Sequence, residues 1–414
     1  MSIKSFVMNF LGRSVSSQGY IGSNSMDFDM TLHPSKTGIS VNESSALTST
    51  AVWACVRILS ETLATLPLIL YKRLPRGKER AIDHSLYRLL HDRPNPEMTS
   101  VTFREALMAH LVTWGNCYAE IEFETDRLTV KNLWPLRPDK MQVERNRETN
   151  EIIYKYSLPR AGGQVVLPAY RVWHIPGLGF DGLIGYSPIS LAREAIGLSL
   201  ATEEFGARFY SGGATPGGVL QYPKQMTKEA KENLRKSWNE QHSGLSNQHR
   251  IAILEEGMTF NKIGIPLNDA QFLETRKFQI NEIARFFNVP PHMIGDLDRA
   301  TFSNIEEQAL EFVVYTMRPW LVRWEQSIKL KLLNEKEQDH FAEFLVDGLL
   351  RGNIEARYRA YATGRQWGWL SANDVRETEN QNPLPGKEGD IYLNPLNMVP
   401  ALQLLNSPKQ DIPK

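Results

Sequence analysis

Residues 187–220 read SPISLAREAIGLSLATEEFGARFYSGGATPGGVL. Ser187 followed by Pro188 is a helix start: a side chain able to accept from a free backbone N–H, then a proline whose missing N–H does no harm in the first turn. The spacing predicts a helix over 187–212, roughly 37 Å long at 1.5 Å per residue. It is rich in small residues: Ala192, Ala195, Gly197, Ser199, Ala201, Gly206 and Ala207. Small side chains let a second helix come close, from within the same chain or from a neighbouring one. The stretch SGGATPGG, Ser211–Gly218, breaks the helix.

Upstream, Val52, Cys55, Val56, Leu59, Leu63 and Leu66 recur at helical spacing until Pro67 ends the run, and Leu68–Lys72 reads as a strand. A second helix is expected over Val101–Trp114. Strands are expected at Tyr118–Phe123, Lys140–Glu144, Ile152–Tyr156 and Arg171–Ile175. Downstream comes a small α/β module: a strand at Val219–Tyr222, a charged helix opening at Thr227, and strands near Arg250–Leu254 and Met258–Ile263. A helix over Asn268–Asn288 ends at Val289–Pro290–Pro291. The next starts at a capping box, Ser303 to Glu306, and contains Pro319, which predicts a kink near Tyr315–Pro319. Helices are expected through Phe341–Glu379. The Ser-, Gly- and Asn-rich residues before Ser45 read as a mobile arm, and the Pro-rich 381–414 as a loose tail.

The chain has 414 residues, with 42% hydrophobic, 10% aromatic and 23% charged residues, room for a sizeable folded core. Lys+Arg and Asp+Glu both number 47, a formal net charge of +0. That excludes a protein gripping nucleic acid by bulk positive charge, though not one past which nucleic acid slides. The two cysteines, Cys55 and Cys117, cannot build a disulfide framework or a CxxC clip, so a reducing compartment is expected. Neither a secretory signal nor a membrane span is expected.

The chemical motifs are sparse. Gly177-Leu178-Gly179-Phe180-Asp181-Gly182 spells GxGxxG. In a dinucleotide site, however, these glycines turn directly into a helix, and here the helix waits until Ser187. The acidic residue expected about 20 positions on would be Glu203 or Glu204, both mid-helix. A plain glycine loop is the simpler reading. Gly213–Gly218 has P-loop spacing but is followed by Val219–Leu220 instead of Lys and Ser/Thr. His242, His249, Glu255 and Glu256 do not form a metal motif, and no nucleophile elbow is present. No catalytic, cofactor or metal residue is expected.

Four long blocks in order carry a family resemblance: TSTAVWACVRILSETLATLPLILYKR (48–73), the run from His84 to Ile121, the run from Val172 to Leu220, and ARFFNVPPHMIGDLDRATFSNIEEQALEFVVYTMRPWLVRWEQSIKLKLL (284–333). Together they resemble the portal (head-to-tail connector) proteins of tailed bacteriophages, in the compact siphovirus-type branch. The resemblance implies a mainly helical α+β subunit of a ring, twelve-fold in the virion, at one capsid vertex, with double-stranded DNA passing along the axis. It implies a wing over 45–186, stem helices over 187–212 and 268–294, and a clip over 213–267. A tunnel loop over 295–303, a kinked helix over 304–334 and a helical crown over 335–380 complete the plan. The resemblance would place Asp296, Leu297, Asp298, Arg299, Ala300, Thr301 and Phe302 at the channel, with Ser303 and Glu306 capping and Pro319 kinking the helix behind them. Thr227, Lys228, Lys231, Arg235 and Trp238 on the clip would dock the terminase large subunit and the head-tail adaptors. The major capsid protein would surround the ring, and assembly would take place in the host cytoplasm. The resemblance implies no enzyme activity. A dinucleotide-dependent enzyme using Gly177–Gly182 and a protein-only scaffold or adaptor are the alternative readings.

Overall fold

The computed structural model describes residues 35–126, 128–146, 148–158, 162–211, 218–223, 225–242, 257–262, 269–295, 310–346, 354–379 and 381–393. Contacts divide the chain into two compact units. The first takes Met1–Thr301 and Glu311–Leu345, the second Phe302–Leu310 and Val346–Lys414.

In the first unit, α1 (Thr50–Thr65) buries Val52, Cys55, Val56, Leu59 and Leu63. Its Leu66 is extended, as a residue preceding proline must be, and this turns the chain out of the helix. β1 (Leu68–Arg73) follows, with four buried residues in succession. It pairs antiparallel with β2 (Lys78–Arg80) on one side and with β11 (His340–Phe344) on the other. Between them in sequence, α2 (Ser85–His91) leads to α3 (Ser100–Trp114), and α3 packs on α1. Arg104 of α3 is 5% exposed. Its guanidinium donates to Leu66 O at 2.6 Å and Ser100 O at 3.2 Å, capping the end of α1. Burial lowers its pKa to about 10, so it stays charged at neutral pH.

Two further antiparallel sheets follow. One has order β4-β3-β8, from β3 (Asn116–Phe123), β4 (Val130–Leu136) and β8 (Val172–Pro176). The other is β5-β6-β7, from β5 (Met141–Arg145), β6 (Ile152–Ser157) and β7 (Gln164–Pro168). β4 and β7 are not among the strands expected from the sequence, and they contain Pro135 and Pro168. Both strands lie at sheet edges, where a missing N–H leaves no ladder bond broken. At the centre Trp173 of β8 stacks on Phe103 and meets Trp324 edge-on, with ring centroids 6.3 and 5.6 Å apart. Trp324 belongs to α7 (Arg318–Lys331), so this aromatic stack ties α3, β8 and α7 into one core.

The helix expected from Ser187 forms in two pieces: a turn at Pro188–Leu191 and α4 (Arg193–Ser211), divided at Ala192. Ser187 caps the turn by accepting from Ser190 N–H at 3.2 Å. The small residues of α4 meet this same chain. A β-carbon on Gly197 would lie 2.4 Å from Ser35 Oγ, while Ala192, Ser199 and Gly206 are buried. Residues 35–44 therefore do not extend the mobile arm: Ser35 is 2% exposed, and Lys36 N–H donates to Glu194 at 3.1 Å. α6 (Asp269–Phe286) packs antiparallel beside α4, where Gln279 donates to Thr202 Oγ1 at 3.1 Å and Arg276 pairs with Glu203. β9 (Gly218–Gln221), α5 (Lys228–His242) and β10 (Thr259–Lys262) lie between the two helices in sequence, and β9 pairs antiparallel with β10.

Phe341–Phe344, expected as helix, is strand β11 instead. Its Ala342 and Phe344 are buried with the period of two that a sheet imposes, and Phe341 stacks on Tyr71 of β1. This segment belongs to the first unit, so the helical part of the second unit starts later than 335. There α8 (Ile354–Gln366) and α9 (Ala372–Thr378) are joined by Arg357 and Tyr361, both reaching Glu379 at 2.8 Å. Ser371 and Asp374 form a reciprocal capping box on α9. Part of the expected tail is held as well: Leu384 N–H and Asp390 both bond the Asn373 amide.

Replacing Arg104 by Met keeps the apolar stem but leaves the Leu66 carbonyl without its donor. The expected loss is about 1–3 kcal/mol, read from urea unfolding of the purified chain.

Candidate channel and docking segments

The GxGxxG loop is built by steric necessity. Gly115, the C-cap of α3, has φ +75°, and a β-carbon there would lie 1.9 Å from Tyr186 O. On the opposite strand a β-carbon on Gly185 would lie 2.1 Å from Gly115 O, and one on Gly179 1.9 Å from Ile184 O. Gly177 N–H donates to Gly115 O at 2.7 Å. Gly115, Gly177, Gly179 and Gly185 thus let backbone cross backbone, each against a carbonyl, whereas Gly182 at φ +69° has open space around it.

Asn116 locks the crossing. Its amide donates to Gly185 O at 2.7 Å, and its Oδ1 accepts from Gly185 N–H at 2.8 Å. The same Oδ1 lies 3.1 Å from His174 Nε2, so Nε2 carries the proton and donates. Nδ1 is left to accept from the Tyr154 hydroxyl at 3.2 Å. Arg323 of α7 closes the far side, donating to Pro176 O and Gly177 O at 2.7 and 2.8 Å. The Ser187 hydroxyl lies between Thr113 O and Glu43 at 3.0 and 3.1 Å, tying the start of the α4 region to the end of α3. Burial depresses the His174 pKa to about 3, with the nearby Lys331 charge adding to it. At the tip of the loop Leu178 and Phe180 are 79% and 84% exposed.

Asp296, Leu297, Asp298, Arg299, Ala300, Thr301, Phe302, Ser303 and Glu306 lie outside the described residues. The segments on either side of them are tied together. α6 ends with Asn288 in the left-handed region at φ 54°, and Val289 N–H reaches back to Ala284 O at 2.9 Å. Beyond the loop, Phe312–Met317 is a π-helix that passes into α7 at Pro319. Proline has no N–H for the carbonyl four residues back, which is Tyr315 O. Asn288 supplies the missing donor: its Nδ2 lies 3.1 Å from Tyr315 O. In return Asn288 O accepts from the Thr316 hydroxyl at 2.6 Å. Asn288 therefore closes one helix and repairs the next, tying the end of α6 to the π-helix. Val289 and Met317 are buried at this joint.

On α5, Thr227 accepts from Ala230 N–H at 3.3 Å. Lys228, Lys231 and Arg235 are exposed and recur at three and four residues, so they share one helix face. Trp238 is on the same helix, and its side chain lies outside the description. Asn116, His174, Arg323 and Asn288 were missed in the sequence. Asn288 before Val-Pro-Pro reads only as a helix end, and the partners of the other three are remote in sequence. Among the described residues no group of three His, Cys, Asp or Glu could hold a metal, and no helix is long and apolar enough to cross a membrane. Cys55 and Cys117 are both buried free thiols.

Residues 50–380 match the family model described as phage portal protein. The probable portal protein of Streptomyces phage phiC31 is 35% identical, over 87% of this chain and 81% of the relative. The portal protein of Enterobacteria phage HK97 is 33% identical, over 94% and 88%. A chain in the neck of a native gene transfer agent particle, computed with C12 symmetry, shares the fold with a TM-score of 0.57. It is 23% identical and covers 82% of this chain and 92% of its own length.

Two outcomes are expected from this geometry. Unfolded, His174 takes up a proton near pH 6.5, whereas in the fold it stays neutral to about pH 3. Its contribution is therefore complete above about pH 6.5 and is lost as the pH falls toward 3, at up to about 1.4 kcal/mol per pH unit. Buried His110, lowered to about 4, acts in the same direction. The drop in urea midpoint from pH 7 to pH 5 should shrink in His174→Gln, and an unchanged drop would contradict the linkage.

The second concerns Asn288→Gly, which keeps the left-handed backbone and removes the amide. It should cost about 1–2 kcal/mol in the native background. In a Pro319→Ala background, where residue 319 regains an N–H for Tyr315 O, it should cost measurably less. Additive losses in that double-mutant cycle would refute the repair.

Proposed function

This chain belongs to the phage portal protein family, and on that premise we propose that it is a non-enzymatic ring subunit that conducts DNA. Twelve copies close around an axis at one vertex of the capsid. Double-stranded DNA enters and leaves through the ring without base readout. The ring assembles in the host cytoplasm and stays in the virion, with the major capsid protein around it.

The tie between Asn288 and Tyr315 carries this reading. It fixes side by side the described segments that flank residues 296–309, which supports the reading of 295–303 as a tunnel loop. Asp296, Asp298 and Arg299 would give that loop mixed charge, suited to brief contacts with phosphate. Residues 45–186 form the wing in this plan, the pair α4 and α6 the stem, and the β9–α5–β10 module the clip. The crown, given as 335–380, draws its helices α8 and α9 from the second unit. Lys228, Lys231 and Arg235, on one face of α5 with Thr227 at its start and Trp238 farther along, dock the terminase large subunit and later the head-tail adaptors.

A formal net charge of +0 suits a conduit. Each phosphate neutralised by a protein cation strengthens binding and steepens its salt dependence, so a channel rich in such contacts would hold DNA instead of passing it. The filled glycine crossing weighs against a dinucleotide enzyme at Gly177–Gly182, because a pyrophosphate would need the space that Ile184 O and Gly115 O occupy.

Electron microscopy of the purified chain, with particles classified along their axis, tests the proposal. Rings with a central hole about as wide as duplex DNA are expected. Monomers, or particles without an axial hole, would contradict it.

A further inference from the structure

β1 and β2 form a hairpin whose outer half reads Lys72-Arg73-Leu74-Pro75-Arg76-Gly77-Lys78-Glu79-Arg80. Five cations stand there against one carboxylate, in a chain whose formal net charge is +0. Every residue of the stretch is exposed except half-buried Leu74. Leu74 N–H donates to Gly77 O at 3.1 Å, and Gly77 holds φ +89° with open space around it, so Arg76 lies within a tight and accessible turn.

The register sorts these charges. Tyr71 faces Arg80, Lys72 faces Glu79 and Arg73 faces Lys78. Opposed residues share a sheet face, so Arg73, Lys78 and Arg80 stand on the face of Tyr71 and Phe341, and Lys72 on the other with Glu79. Arg73 opposite Lys78 is a like-charge pair, which costs stability. Three contacts offset that cost. Lys78 pairs with Glu343 and lies 4.3 Å from the Tyr71 ring centroid, and the Arg73 guanidinium lies 5.5 Å from that of Phe341. Among the described residues, Lys78 alone of the five cations has a carboxylate partner. A charged edge strand deters unwanted pairing, and β2 is an edge. That need accounts for Lys78 and Arg80, but not for Arg73 on the central strand or Arg76 in the turn.

We propose that this hairpin grips the phosphate backbone of double-stranded DNA, as a holding contact apart from the sliding path. The inference rests on the conduit reading above, which brings duplex DNA to the ring. Cations without carboxylate partners strengthen DNA binding, so such a cluster suits a place where DNA is held, not one where it is passed. Lys78 and Arg80 advance about 6.8 Å along β2, the rise of two nucleotides along one DNA strand, and guanidinium forks match phosphate oxygens. Between Lys72 and Arg80 no large apolar side chain is exposed to anchor a protein partner.

Filter binding of a nicked circular duplex to the purified full-length chain tests the grip, because a circle has no end to enter a channel. The wild-type chain should retain the circle, with an affinity that falls steeply as salt rises. Arg73→Gln combined with Arg76→Gln and Arg80→Gln changes three exposed positions. Affinity at low salt should then fall about tenfold or more, and the slope of log affinity against log salt should flatten by about 2.7. The corresponding clip variant, Lys228→Gln with Lys231→Gln and Arg235→Gln, should keep the wild-type affinity. Equal losses in the two variants would reduce the contact to non-specific charge and overturn the proposal, as would a hairpin variant that binds like wild type. Hairpin-dependent capture of polyglutamate without capture of the circle would overturn it in favour of an acidic protein. Hairpin-dependent circle binding by a chain that forms no rings would support the grip and contradict the conduit. Rings that ignore the circle would overturn the grip alone.

Discussion

The chain passes from β8 to the helical region at Ser187 by way of one backbone crossing, where Gly115 and Gly185 lie too close for any side chain. Hydrogen bonding makes this contact specific. Asn116 satisfies both backbone groups of Gly185, and His174 and Arg323 hold the two flanks. The crossing sets the direction in which the chain leaves β8 and the place where Ser187 starts the helical region. It also aligns α3, which carries Phe103 and Arg104, with α7, which carries Trp324. Two of its anchors, the protonated Nε2 of His174 and the guanidinium of Arg323, come from different elements, β8 and α7.

A second constraint operates where α6 finishes, at the end of the α4–α6 pair that also holds the start of α4. Pro319 interrupts a long helical run and orphans a carbonyl, and the π-helix before it widens the turn there. The Asn288 side chain meets the orphan from another helix, so the irregularity becomes a tie between the two roots of the proposed tunnel loop. A regular helix at this point would have needed no partner and would have left the roots independent. The irregular turn and the left-handed asparagine are thus two halves of one joint.

Much of this architecture is legible in sequence because it obeys local rules. Pro67 ends α1, Ser187 caps the turn before α4, and runs of apolar and aromatic residues mark β3, β6 and β8. What could not be read depends on remote partners. β11 is a strand because β1 offers it an edge more than 250 residues earlier, and β4 tolerates Pro135 because no strand pairs on its outer side. Gly177 to Gly182 imitate a nucleotide motif since both arrangements require backbone without a β-carbon. Only the partner distinguishes them, and here the partner is another carbonyl. Likewise the small residues of α4 announce close packing without saying against what. For Gly197 the answer is Ser35 of the same chain.

Together, the glycine crossing and the Asn288 joint give the chain a fixed frame, and the proposed ring is built from copies of that frame. Native mass spectrometry of the purified chain tests it most directly. A single closed assembly of fixed stoichiometry, well above a dimer and without a ladder of open intermediates, is the expected result. A monomer–dimer equilibrium, or an open series of ever larger species, would contradict the account.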